Sequence, residues 1–337
     1  MQKRILITAA GACLGLAVTA WSRRPGRLDL RGKTVLITGG SRGLGLLLAK
    51  EFAARGAQIA ISARQKDELD RAKNQLLGTT KDVLTIEGDI TMRAEAENTV
   101  STVEQHFGPL DILVNNAGTI TVGPVESMTI DDFRDSLDTH FWGPYFTTMA
   151  ALSSMRKWRS GSIINISSIG GKLSVPHLLP YSVGKFALTG FSEGLRSELL
   201  KDNVYVTTVC PGLMRTGSPR NALFKGQNEA EYAWFSVSDA LPIVSISATR
   251  AARQIVDACV RRQSELVLSL PAKLGVLLHG LAPGMTVDVL GLINKLLPAP
   301  GGIGPGKKTG KQSSSKVSPS WLTTLNEQAA EQNNQIA

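Results

Sequence analysis

Lys33-Thr-Val-Leu-Ile-Thr38-Gly-Gly-Ser-Arg-Gly43-Leu-Gly45 is the stretch on which the fold turns. Residues 33–38 are a short, β-branched, apolar run, the pattern of a buried strand. Glycines then interrupt it, and Leu46 to Arg55 resumes with helical spacing. Strand, glycine turn and helix in that order bring backbone N–H groups to a helix N-terminus, where they suit a pyrophosphate. The glycines permit the tight turn and the close approach. Gly39, Ser41, Arg42, Gly43, Leu44 and Gly45 are therefore candidate cofactor-binding residues. The spacing is Gly-x-x-x-Gly-x-Gly rather than Gly-x-Gly-x-x-Gly.

The pattern repeats downstream. Gln58 to Ser62 reads as a second strand that ends at Ala63-Arg64. An NAD site often has an acidic residue there for the ribose 2′-hydroxyl; here Arg64, with Arg42, offers two cations for a 2′-phosphate, which points to NADP(H). Val83 to Glu87 is a third strand followed by Gly88-Asp89-Ile90, with Asp89 placed to meet an adenine edge. A helix over about 93–107 leads to a fourth strand, Asp111 to Val114, which opens into Asn115-Asn116-Ala-Gly118. Strands alternating with helices predict an α/β domain with a parallel sheet. Ser162 to Ser167 and Asn203 to Val209 continue the series, and a helix at about 248–262 and a strand at Glu265 to Ser269 complete it.

Tyr181-Ser-Val-Gly-Lys185 carries the chemistry, with Ser168 thirteen residues before the tyrosine. A tyrosine and a lysine four apart share a helix face. A close ammonium favours the phenolate, so Lys185 is expected to lower the Tyr181 pKa. Such a tyrosine exchanges a proton with a carbonyl or alcohol oxygen, and a nearby serine hydroxyl can hold that oxygen.

Together these residues resemble the short-chain dehydrogenase/reductase family: the Thr38–Gly45 glycine motif, Asp89, Asn115-Asn-Ala-Gly118, Ile166-Ser-Ser168, Tyr181…Lys185 and Pro211-Gly212. The resemblance covers about residues 31–270. It implies a Rossmann-like, doubly wound parallel sheet of about seven strands with helices on both faces and the nucleotide across the strand ends. It implies Tyr181 as general acid/base, Lys185 as pKa tuner and ribose ligand, and Ser168 as the group that orients the substrate oxygen. Asn116, within Asn115–Gly118, would buttress the central strand, with Ile90 beside the nucleotide, and Pro211 and Thr216 would meet the nicotinamide amide and the phosphates. The family usually has an asparagine in a Val-Asn-x-x-Gly context that holds a water in the proton relay. This chain reads Thr139-His140-Phe-Trp-Gly143, which places His140 there, either as a neutral imidazole that keeps the relay or as a packed histidine that has lost it. His177 reads as a loop-surface residue or a substrate contact. The aromatic residues of 217–247, where the family places its substrate lid, suit an apolar substrate or a lid packed on itself.

The bulk numbers narrow the alternatives. The 337 residues carry 37 Lys/Arg against 28 Asp/Glu, a net charge of +9. Seven Lys/Arg against one Asp fall within residues 1–33, so the body has no basic footprint for nucleic acid. Cys13, Cys210 and Cys259 are scattered, so neither a metal site nor a disulfide framework is expected.

After Lys3-Arg4, Ile5 to Trp21 runs without a charge, and Arg23, Arg24 and Arg27 follow. As a helix it would reach about 25 Å, slightly short of a ~30 Å hydrocarbon core. An uncleaved transmembrane anchor, a signal peptide cleaved after Val18-Thr19-Ala20 and a lipoprotein at Cys13 compete; the anchor, with the catalytic domain held in the cytoplasm by the flanking cations, fits best.

Four segments follow: 1–30 as anchor and basic linker, 31–270 as catalytic domain, 271–298 as an apolar helical extension, and 299–337 as a disordered tail. The extension suits a membrane interface, a homo-oligomer face or a cap on the pocket. The functional expectation is an NADPH-dependent oxidoreductase that interconverts a carbonyl and an alcohol on a small lipophilic substrate. A nucleotide-binding, membrane-associated regulatory module with little catalysis is the alternative, supported by His140.

Overall fold

Every residue of Thr34–Thr38 is buried, because this strand (β1) is central in a seven-stranded sheet covered on both faces. The computed structural model describes residues 26–80, 82–315, 318–320 and 323–336. The other strands of this sheet are β2 (Gln58–Ala63), β3 (Val83–Glu87), β4 (Ile112–Asn115), β5 (Gly161–Ile166), β6 (Val204–Pro211) and β7 (Glu265–Leu268). Their order is β7-β6-β5-β4-β1-β2-β3, and every pairing is parallel. The order reverses at β1, which pairs with β2 through Val35 opposite Ile59 and with β4 through Val35 opposite Ile112. Ligands of open α/β sheets bind outside the strand carboxyl ends at such a switch point.

The period of two in β1 divides its side chains between two cores. Val35 and Ile37 face α1 (Gly43–Ala54) and α8 (Ala248–Val260), where Leu46, Phe52, Ile255 and Val256 are fully buried. Leu36 faces α3 (Arg93–Phe107) and α5 (Gly143–Trp158), where Val103, Ala151 and Leu152 pack. Completing the domain are α2 (Lys66–Leu76), α4 (Ile130–Leu137), α6 (Leu179–Leu199) and α7 (Asn228–Ala240).

Residues 130–158 have apolar side chains at helical spacing, but α4 and α5 are joined there by a π turn over Asp138–Trp142, in which the Gly143 N–H reaches the Asp138 carbonyl. Pro144 explains it: lacking an N–H, it cannot donate to the carbonyl of His140.

The apolar extension forms α9 (Leu270–Leu281) and α10 (Pro283–Asn294). The first half of α9 packs on the body, with Ala272 buried and Gly275 against Leu173 and Ile169, while Leu277, Leu281 and Leu292 are more than half exposed. Among the described residues no helix is long and apolar enough to cross a membrane, and the anchor expected at 5–21 lies outside them.

The expectation of a disordered tail is corrected over its described residues. Lys308–Thr309 pairs antiparallel with Leu223–Phe224, Lys307 bridges Asp132 and Asp135, and α11 (Thr324–Gln332) packs on α7. The composition is poor in apolar residues, but the polar side chains bond to the body. Asn228 donates to Ser313 Oγ at 3.0 Å, and Asn326 donates to the Ser236 carbonyl at 3.1 Å.

Candidate active site

The nucleotide side begins where β1 ends. Gly43 has φ +56, a left-handed conformation that favours glycine, and a Cβ on Gly45 would lie 2.1 Å from the Gly39 carbonyl oxygen. Asn116 fixes the turn from β4, its Nδ2 donating to the carbonyls of Thr38 and Gly39, both at 3.0 Å. The turn therefore sits at the switch point with the N-terminus of α1 behind it, and this cradle of backbone fits a dinucleotide. Leu44 and Ile90 are buried beside the turn and the π turn respectively, with Ile90 against Gly143.

The expected cations are partly engaged. Arg42 donates to Glu68 Oε1 at 2.8 Å, and Ser41 donates to Glu68 Oε2 at 2.9 Å. Glu68, buried on α2, is a partner that the sequence reading missed, because nothing in its spacing marks it out. Arg64 remains exposed, 3.9 Å from Asp89. Asp89 turns one oxygen to the Thr91 N–H and hydroxyl, at 3.0 and 2.8 Å. Thr216, beyond Pro211 at the end of β6, donates to Ser218 Oγ at 2.8 Å.

Ser168, Tyr181 and Lys185 converge. Tyr181 and Lys185 lie one turn apart on α6, with Lys185 Nζ 5.7 Å from the phenol ring centre. Ser168 opens the loop after β5; its hydroxyl accepts from the Gly170 N–H at 3.0 Å and lies, like the edge of the Tyr181 ring, beside Gly170. Lys185 Nζ donates to the Ile166 carbonyl at 2.8 Å. The electrostatic expectation is corrected: burial pushes the Tyr181 phenol up to about 12, against a downward pull from the Ser168 hydroxyl. Burial likewise pulls the Lys185 ammonium down, to about 7. At neutral pH Tyr181 is thus a protonated phenol, a hydrogen-bond donor.

His140 projects from the π turn with its ring edge-on to Tyr181, 5.3 Å between centres. Its Nε2 is 2.8 Å from the Thr119 carbonyl, an acceptor, so Nε2 carries the proton. Burial, then the nearby Lys185 charge, holds the imidazole well below its ordinary pKa. The neutral ring leaves Nδ1 as an acceptor, buried and without a partner among the described residues.

Tyr181 packs, as do Ile120, Val175 and Trp234, against an apolar cluster that includes Val122, Leu178 and Phe224. Phe224, Tyr232 and Phe235 form a packed aromatic group within it, so part of the lid's aromatic load serves its own core. His177 is not a surface residue. It is buried with φ +61, and its Nδ1 lies 2.7 Å from Glu231, whose other oxygen accepts from the Trp234 indole N–H at 2.7 Å. Cys210 and Cys259 are buried free thiols, and the described residues hold no cluster of metal-ligating side chains.

Known proteins match this geometry. The model of the short chain dehydrogenase family matches residues 33–224, more than half of the chain. A "Dehydrogenase/reductase SDR family protein 7-like" of Anopheles gambiae is 35% identical over 286 residues, 83% of this chain and 88% of its own. An 11-beta-hydroxysteroid dehydrogenase 1A of Arabidopsis thaliana is 38% identical over 204 residues, 60% of this chain and 58% of its own. Among solved structures, L-sorbose reductase from Gluconobacter frateurii, complexed with NADPH and L-sorbose, has a TM-score of 0.63 at 27% identity, covering 72% of this chain and 97% of that one.

Proposed function

The chain belongs to the short-chain dehydrogenase/reductase family, oxidoreductases acting on alcohol and carbonyl groups, and from that premise we propose an NADPH-dependent enzyme that interconverts a carbonyl and an alcohol on a lipophilic small molecule. The observation that carries the reading is the convergence of Ser168, Tyr181 and Lys185, with Tyr181 packed against an apolar cluster. Both hydroxyls hydrogen-bond the substrate oxygen. In reduction, Tyr181 gives its proton to that oxygen as negative charge develops there; its neutral state at pH 7 suits it to this direction. A bound nicotinamide supplies the hydride at C4. His140 Nδ1 accepts a hydrogen bond in the path that returns a proton to Tyr181, and Lys185 orients the cofactor ribose.

The preference for NADPH rests on Arg42 and Arg64 and on the lack of an acidic residue after β2. The named relatives include a hydroxysteroid dehydrogenase but also a sugar reductase, so the lipophilic assignment leans on Ile120, Val175, Leu178 and Trp234. Steroids, retinoids and long-chain ketones, assayed at 340 nm with NADPH and NADH in parallel, test it. NADPH-dependent turnover is expected on this panel and not on sugars. Tyr181→Phe is expected to cost 10²–10⁴-fold in kcat, on the order of a general acid's contribution, with NADPH affinity kept. Full turnover by Tyr181→Phe would refute the mechanism, and NADPH binding without turnover on any carbonyl would favour a regulatory module instead.

Residues 5–21 and the exposed leucines of α9 and α10 support a membrane-bound enzyme with its catalytic domain in the cytoplasm. Recovery of the full chain in the soluble fraction after cell lysis would count against that placement.

A further inference from the structure

We propose that the C-terminal segment, residues 330–335, is a built-in competitor of the nucleotide, seated on the phosphate side of the cofactor site and displaced when the cofactor binds. The inference rests on the assignment of that site to NADPH.

The contacts fall on the residues that hold phosphate in this reading. The Gly43 N–H, in the glycine turn, donates to the Asn333 carbonyl at 2.8 Å, so a peptide oxygen takes a donor of the phosphate cradle. A Cβ on Gly43 would lie 2.6 Å from Gln335 Nε2, which places the Gln335 side chain against the turn. Asn334 Nδ2 donates to the carbonyls of Ser41 and Glu68, at 2.8 and 3.1 Å, and its Oδ1 accepts from Arg71 at 2.9 Å. On the opposite wall, Asn333 Nδ2 donates to the Thr216 carbonyl at 3.3 Å, and Ala330 abuts Gly217. Asn221 holds Gln335 at its backbone and side-chain oxygens, at 3.2 and 2.7 Å.

The segment thus joins the two walls between which a nucleotide diphosphate would lie. A lid folded over a bound cofactor would leave the turn's N–H groups to the phosphates; here one is already used. The segment also bonds the backbone of Ser41 and Glu68, at the place where Glu68 neutralises Arg42. The tail-bound state therefore accompanies an Arg42 whose charge is not free for a 2′-phosphate. The tail is well placed to compete, because Lys307 with Asp132 and α11 on α7 already tether it nearby, so docking is intramolecular.

The test uses the full chain and the variant Asn334→Ala/Gln335→Ala, which removes tail side chains only. NADPH dissociation constants are measured by fluorescence titration without substrate, and hydrogen exchange is followed over residues 324–336. A tail that closes nine-tenths of the molecules would weaken the apparent affinity about tenfold, so the variant is expected to bind NADPH roughly tenfold tighter, with kcat at saturating cofactor unchanged. NADPH is expected to speed exchange over 324–336 in the unmodified chain. Equal affinities together with tail exchange indifferent to NADPH would overturn the inference and leave the cofactor assignment standing. Weaker binding by the variant would overturn it in favour of a lid. Failure of both proteins to bind NADPH would overturn the cofactor assignment and the competitor with it.

Discussion

At His140 the question is one lone pair. The Nε2–H is committed to the Thr119 carbonyl, and Nδ1 is buried with an unused acceptor beside Tyr181. Asparagine, the residue the family usually has there, also carries one donor group and one acceptor, so His140→Asn is expected to keep kcat within about threefold. His140→Leu has neither and leaves the Thr119 carbonyl unpaired, a desolvation cost of about 1–3 kcal/mol. It is expected to lower kcat by about 100-fold, the low end of what proton transfer contributes, with NADPH affinity unchanged. Steady-state assays at saturating cofactor separate the two variants; equal rates for Leu and the native chain would remove His140 from the relay. The identity of this residue was legible from its place in Thr139-His140-Phe-Trp-Gly143, but its tautomer was not. That depends on Thr119, twenty-one residues away and brought close by folding. Folding also set the state of Tyr181: spacing alone gives an ammonium near a phenol, whereas burial raises the phenol and lowers the ammonium.

Among the elements, the glycine turn was the most legible, because its sequence is dictated by backbone geometry. Gly45→Ala would put a methyl 2.1 Å from the Gly39 carbonyl oxygen and 2.6 Å from Asn116 Nδ2. Neither neighbour is a free side-chain end: one is backbone and the other is bonded to two carbonyls. The variant is expected to lose about 2–4 kcal/mol in urea unfolding, in the range of overpacked buried sites, and to bind NADPH at least tenfold more weakly. Unchanged stability would mean that β1 and α1 can part without cost. The π turn was not legible as such, since the apolar spacing of residues 130–158 is continuous. The tail was misread for a physical reason. Composition reports whether a segment can bury its own apolar surface, and it is silent on whether asparagine and glutamine side chains will meet backbone carbonyls on a folded neighbour. Asn326, Asn333 and Asn334 each do so.

For the molecule as a whole, the alternation of strands and helices made the sheet readable, because each buried strand must be apolar on both faces. What alternation does not report is the ionisable load that the core carries. Two buried groups oppose folding in adjoining pH windows. Lys185 falls from 10.5 to about 7 through burial, so between those values the unfolded chain holds a proton that the native state lacks. Stability therefore rises with pH across that window, and the penalty is full below about 7. Asp239, on α7 beneath the tail helix, is raised from 3.8 to about 7 by burial, against a downward pull from the Met214 N–H. Here the native state holds the extra proton, so stability falls as pH rises through the window, and the penalty is full above about 7. The two penalties meet near neutrality. Lys185→Met and Asp239→Asn are each expected to stabilise the nucleotide-free protein at pH 7, by roughly 1–3 kcal/mol after relaxation trims the desolvation cost. Their gains should diverge with pH, Lys185→Met losing its advantage towards pH 10 and Asp239→Asn losing its advantage towards pH 4. Thermal melts at pH 4.5, 7 and 9.5 read both at once, and parallel pH profiles for the two variants would show that neither group carries the assigned burden.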